Sequence, residues 1–161
     1  MNKEVNINLG SGRLIIKGYI NIDKTQIIDG RGNKTVDILL DIEKEKLPFE
    51  DNSVDRIKVD NVLEHVDELE FVLNECHRVL KKDGVITGIV PKAGTELDFS
   101  DPTHKRHFTR RTFSYFTGES LSHKDKPAHP KYADYGFKPW IQNDLQIQEN
   151  DLIHFIMSPR K

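Results

Sequence analysis

The chain predicts a reduced α/β fold. It is a mostly parallel sheet, with helices thin on one face and a C-terminal antiparallel hairpin. Three observations carry this. Short strand patterns recur through the first half of the chain, at Val5–Leu9, Gly18–Asp23, Val36–Asp41, Asp55–Asp60 and Gly84–Val90. One amphipathic helix lies between the last two of them. The strands alternate apolar and polar residues, whereas strands buried on both faces read as continuous apolar runs.

The first strand ends in the turn Leu9-Gly10-Ser11-Gly12, and the second ends in Asp23. Glycines there let backbone approach a ligand closely, because no Cβ intervenes. A carboxylate at the tip of the neighbouring strand can accept both hydroxyls of a ribose. This layout suits a nucleoside. Only Gly10–Lys17 joins the first two strands, too short for a crossover with its own helix. Leu47-Pro48-Phe49-Glu50-Asp51-Asn52-Ser53, before the fourth strand, is turn chemistry.

The helix is expected over Glu68–Lys81. Leu69, Val72, Leu73, Cys76 and Leu80 follow the rhythm of one buried face. Asp67 with Glu70 makes a capping-box start, and Lys81-Lys82-Asp83-Gly84 a glycine-terminated stop. Cys76 on that stripe reads as structural. With the flanking strands this makes a right-handed parallel crossover. Ile20/Ile22 against Asn21/Asp23, and Ile57/Val59 against Lys58/Asp60, imply one covered and one thinly covered sheet face. The Phe/His-rich middle segment, a second subunit or water could cover the polar face. Leu145–Gln148 and Leu152–Met157 flank the turn Glu149-Asn150-Asp151 as a closing hairpin at the sheet edge.

Length and composition bound the function. The 161 residues, 36% hydrophobic, make one domain over 1–161. A net charge of −2 argues against a general nucleic-acid binder. No apolar run spans a bilayer and no leader is visible, so a soluble cytoplasmic protein is expected, with no membrane partner. One cysteine excludes an internal disulfide framework. Residues 100–131 carry +4 while the remainder carries −6, and four of the seven histidines fall there. That segment reads either as a solvated loop or as a lid favouring an anionic substrate.

Taken in order, Ile7–Gly12, Asp23, Leu40-Asp41, the Leu47–Asp55 turn, Asn61-Val62-Leu63-Glu64-His65 and Arg78–Gly84 resemble the class I S-adenosylmethionine-dependent methyltransferases. The closest likeness is to small bacterial and phage-type members. The resemblance covers about residues 5–116 and implies a Rossmann-like sheet with S-adenosylmethionine across its C-terminal strand ends. Leu9, Gly10, Ser11 and Gly12 would wrap the methionine part. Asp23 would hold the ribose, and Asp41 and Ile42 would border the adenine. Asp60, Asn61 and Leu63 would line the floor beside the transferring methyl. The chain departs from the family pattern where Arg13–Lys17 replaces the first helix, and in having Asn8 within a strand that is usually apolar.

Methyl transfer from a sulfonium is an in-line displacement, in which the protein supplies position and field. A general base serves only an acceptor that must lose a proton. His104 is the first candidate, with Asp101 as its orienting partner; His107 and His65 follow. The competing reading makes Asp101-Pro102-Thr103-His104 a turn. Asp101, His104 and His107 also have metal-ligand spacing, but no fourth ligand is evident and no metal is expected. Thr109–Phe116 reads as a surface helix, with aromatics in the core and Arg106, Arg110 and Arg111 toward substrate. The function expected is methyl transfer to a small or carbohydrate-linked acceptor, anionic in character, by an enzyme that forms a homodimer. A non-catalytic binding or scaffold protein on the same fold is the alternative. A dinucleotide oxidoreductase is less favoured, since Ile15 replaces the third glycine and no phosphate-cradling helix follows.

Overall fold

The computed structural model describes residues 4–118 and 135–161. His123, Lys124, Lys126, His129 and Lys131 of the basic segment lie outside them. The strands are β1 (Asn6–Leu9), β2 (Ile20–Asp23), β3 (Ile38–Leu39), β4 (Val54–Asp60), β5 (Leu80–Pro91), β6 (Trp140–Ile147) and β7 (Leu152–Pro159). The helices are α1 (Leu69–Val79), α2 (Glu96–Ser100) and α3 (Ser114–Thr117). All strands join one sheet in the order β3-β2-β1-β4-β5-β7-β6. β1 to β5 run parallel, and β7 is antiparallel to both β5 and β6. The expected mixed sheet with its antiparallel finish is therefore present. The hairpin is longer than predicted, and its second strand sits inside the sheet, against β5.

The predicted face of α1 is buried through Leu69, Val72, Leu73 and Cys76, and Leu80, just past its end, is buried too. Burial pushes the Cys76 thiol up to about 12, which suits an inert core residue. Both predicted helix ends need correction. Asp67 pairs with Lys105, and Glu70 accepts from Asn74 at 2.8 Å, so no capping box forms. Glu43 substitutes for it: its Oε1 accepts the N–H groups of Asp67 and of Glu68, the latter at 3.1 Å. At the other end the chain turns at Leu80 into extended backbone and enters β5 directly, so Gly84 lies within a strand.

The two sheet faces differ as the alternation predicted. Ile57, Val59, Ile86, Val90, Ile153, Phe155 and Met157 share one core with α1. The Phe-rich segment lies on this covered face rather than over the polar one. Phe108, Phe113 and Phe116 are buried, and the Phe113 and Phe155 rings stand 5.0 Å apart. The predicted helix over Thr109–Phe116 shrinks to one turn, α3, with its aromatics in the core as expected. The opposite face carries Lys58, Asp60, Thr87 and His154, with a Lys58–Asp60 ion pair at 2.5 Å.

Two buried asparagines explain how the first connection dispenses with a helix. Asn8 Nδ2 donates to the Leu14 carbonyl at 2.7 Å and to Asn21 Oδ1 at 3.0 Å. Asn21 Oδ1 also accepts the Ile16 N–H at 3.0 Å, and its Nδ2 donates to Asp37 Oδ2 at 2.9 Å. Paired amides on the sheet surface satisfy the backbone of the 13–17 loop, which an apolar strand could not do. Among the described residues no helix is long and apolar enough to cross a membrane.

Candidate functional site

A cleft of about 410 Å³ opens at the C-terminal ends of β1 to β4. Its size falls in the range of small-molecule sites. Gly10, Asp23, Asp41, Ile42 and Asn61, each singled out in the sequence, line it together. Lys24, Glu43, Val62, His65, Thr103 and Lys105 complete much of the wall.

Each strand end delivers its residue for a local reason. Gly10 sits at φ +66°, and a Cβ there would stand 2.5 Å from Val62 Cγ2. The turn is therefore fixed by conformation and by close packing against the segment after β4. Asp23 closes β2 with its carboxylate already engaged: Oδ2 accepts the Gly12 N–H at 2.8 Å and Oδ1 the Thr25 N–H at 2.9 Å. Each oxygen keeps a further acceptor position. Asp41 pairs with Lys44 at 2.8 Å, and that ammonium holds its carboxyl below the usual range.

Other residues named from the sequence lie elsewhere. Leu9 and Leu63 are buried in the core. Asp60 points to the open sheet face, toward Lys58. Ser11 is buried beside the glycines, and its Oγ has no hydrogen-bond partner. Gly12 meets nothing on its Cβ side. An unpartnered hydroxyl, a Cβ-free turn and a carboxylate with spare acceptor sites fit a polar nucleoside ligand.

Of the candidate histidines, His65 lines the cleft and His104 stands beside it. His65 and His104 are 4.8 Å apart, edge to face. His104 Nδ1 bonds the Asp98 carbonyl at 2.8 Å, while Asp101 Oδ2 stands 4.0 Å from its Nε2. Asp98, not Asp101, thus orients His104. The Asp98 carboxylate, fully buried, also bonds His107 Nδ1 at 2.9 Å and accepts the Gly94 N–H at 3.0 Å. His107 is thereby turned to Asp98, and Asp101, His104 and His107 do not converge. Asp101 Oδ1 instead accepts the Thr103 N–H at 2.8 Å and hydroxyl at 2.6 Å, which is the turn reading. Arg106 is spent on the Val66 and Asp67 carbonyls.

Sequence reasoning missed Asp98, Glu64 and Thr103. Nothing in the local pattern marks Asp98. Glu64 was visible in Leu63-Glu64-His65 but not as a buried group. It is 1% exposed, both its oxygens lack partners, and burial pushes it up to about 7.

Comparison with known proteins bears on this geometry. Residues 19–87 match the model of a family described as a methyltransferase domain. A search of curated proteins finds no match. Among solved structures, the chain is similar to the 1,6-didemethyltoxoflavin-N1-methyltransferase of Burkholderia thailandensis, solved with 1,6-didemethyltoxoflavin and S-adenosylhomocysteine. The identity is 13%, over 98% of this chain and 71% of that one, with a TM-score of 0.62. It is likewise similar to the YcgJ protein of Bacillus subtilis, at 18% identity over 99% and 94% of the two chains and TM-score 0.60. A third likeness is to an S-adenosylmethionine-dependent methyltransferase of Archaeoglobus fulgidus, at 15% identity over 96% and 86% and TM-score 0.59. The family resemblance read from the motifs and the Rossmann-like fold are both borne out.

Proposed function

We propose that this chain, with its methyltransferase-domain match and class I methyltransferase fold, is an S-adenosylmethionine-dependent methyltransferase. The observation that carries the reading is the placement of Asp23, at the tip of β2, in one cleft with Gly10 and Asn61. Asp23 would take the ribose hydroxyls on its spare acceptor positions, and Asp41 and Ile42 would border the base. The Gly10–Gly12 backbone and the Ser11 hydroxyl would hold the amino-acid end. When bound, the donor supplies an electrophilic methyl on a sulfonium, and the chain's part is to align donor and acceptor.

The acceptor is proposed to be a small or carbohydrate-linked molecule. Lys24 on the cleft wall is the cation that an anionic one would meet, Lys105 being paired with Asp67. His104 offers a free Nε2, since its Nδ1 is bonded, and would take the proton of an alcohol or amine.

Calorimetric titration with S-adenosylhomocysteine tests this reading. Binding by the wild type that disappears in Asp23→Ala supports it. No heat at millimolar ligand favours a scaffold protein, and binding of NADH instead would favour an oxidoreductase.

A further inference from the structure

His65 of the cleft wall belongs to a constellation that donor binding does not use. Glu64, His65 and His104 each bring one ligand atom within 4.8 Å of the others. Glu64 is buried, and neither of its oxygens has a partner. The two rings are oriented through Nδ1. His104 Nδ1 lies 2.8 Å from the Asp98 carbonyl, which can only accept, so this nitrogen carries the hydrogen. His65 Nδ1 lies 3.0 Å from Thr103 Oγ1, whose own hydrogen goes to Asp101 Oδ1 at 2.6 Å. It also faces the Thr103 carbonyl at 3.3 Å. Here too Nδ1 is the donor, so in the neutral ring the lone pair sits on Nε2.

Two imidazoles and a buried carboxylate therefore meet, and the one hydrogen available between them is the acid's own. Buried polar groups are rarely left without a partner, as both Glu64 oxygens are, and one cation would serve all three side chains. We propose that Glu64, His65 and His104 bind one divalent transition-metal ion. Asp101 Oδ2, 4.0 Å from His104 Nε2, is placed to join as an oxygen donor. Two imidazoles with carboxylate suit zinc, iron or manganese, whereas magnesium prefers oxygens alone. Ligating histidines usually donate their other N–H to a carbonyl or similar acceptor, as both do here. The halves of the site are held together in advance: the Glu64 carbonyl accepts the N–H groups of Lys105 at 2.8 Å and Arg106 at 3.1 Å. Tetrahedral bonds of about 2.1 Å set ligand atoms about 3.4 Å apart, so the ion would draw the side chains in by about an ångström.

The site stands without the donor reading, but the two meet at His104. An ion on Nε2 removes that nitrogen as a base. His65 and Thr103 also line the cleft, so the ion would lie in its wall.

The test uses the full chain, stripped with a chelator and titrated calorimetrically with Zn²⁺, with Co²⁺ added separately for its visible absorption. One Zn²⁺ per chain is expected, together with a Co²⁺ spectrum of low-coordinate nitrogen and oxygen ligation. Glu64→Gln and His104→Ala should each weaken Zn²⁺ binding at least about tenfold. Thermal unfolding checks that each variant folds. If one does not, the other together with the wild-type Co²⁺ spectrum decides. No Zn²⁺ heat in the wild type, or equal affinity in wild type and variants, overturns the proposal. Asp23→Ala should bind Zn²⁺ as the wild type does while losing S-adenosylhomocysteine, so either reading can fail alone.

Discussion

Asp23 Oδ2 accepts the Gly12 N–H at 2.8 Å, tying the acid that ends β2 to the turn that leaves β1. With Oδ1 held by the Thr25 N–H, the carboxylate is aimed before any ligand arrives. Hydrogen bonds to charged groups contribute about 1.5–3 kcal/mol each. Asp23→Ala should therefore raise the dissociation constant for S-adenosylhomocysteine at least about tenfold, read by calorimetry. An unchanged constant would remove Asp23 from the site.

Gly10 is required by shape as well as conformation. Gly10→Ala puts a Cβ at positive φ and against Val62 Cγ2. The expected loss is about 2–4 kcal/mol, from backbone strain and overpacking together. Val62→Ala in the same chain should recover only the packing part, leaving a coupling of at least about 0.5 kcal/mol in a double-mutant cycle followed by urea unfolding.

The asparagine pair makes a prediction about the missing helix. Asn21→Leu leaves the Ile16 N–H without its side-chain partner and takes one of two Asn21 bonds from Asp37, the backbone one at 2.7 Å remaining. A cost of about 1–3 kcal/mol follows. Amide exchange should accelerate over 13–17 more than over α1, which would separate local release from general weakening.

Acid stability should depend on Glu75. Burial pushes this carboxyl upward, but bonds from Arg78 at 2.8 Å and the Leu47 N–H at 3.0 Å overcome that and hold it below its ordinary 4.5. Its folded value lies below its unfolded one. The stability it contributes is thus fully present above the unfolded value and is lost as pH falls through the folded value. Urea unfolding from about pH 6 down to about pH 3 should show a steeper loss for the wild type than for Glu75→Gln. Parallel curves would contradict the assignment.

The pattern of legible and hidden features has physical causes. Period-two alternation exposed the sheet and its two unequal faces, and period 3.6 exposed α1, because each follows from backbone geometry alone. Boundaries set by tertiary partners were hidden. Asp67 and Glu70 have the spacing of a cap, yet Lys105 and Asn74 draw them away and Glu43, distant in sequence, takes the helix-start N–H groups. In the cleft, Gly10 and Asp23 were readable because they sit at strand ends, while Asp41, Ile42 and Asn61 came from the family resemblance. Asp98 was not, because its role depends on a fold-back that brings residue 98 beneath residues 104 and 107. Asn8 looked like a defect in an apolar strand until Asn21 appeared beside it in the neighbouring strand.

The most direct measurement of the central claim is a crystal structure of the chain grown with S-adenosylhomocysteine. The account predicts the nucleoside in the cleft above β1 to β4, with its ribose hydroxyls on the Asp23 carboxylate and its base beside Asp41 and Ile42. A ligand seated elsewhere, or Asp23 still bound only to the Gly12 and Thr25 backbone, would contradict it.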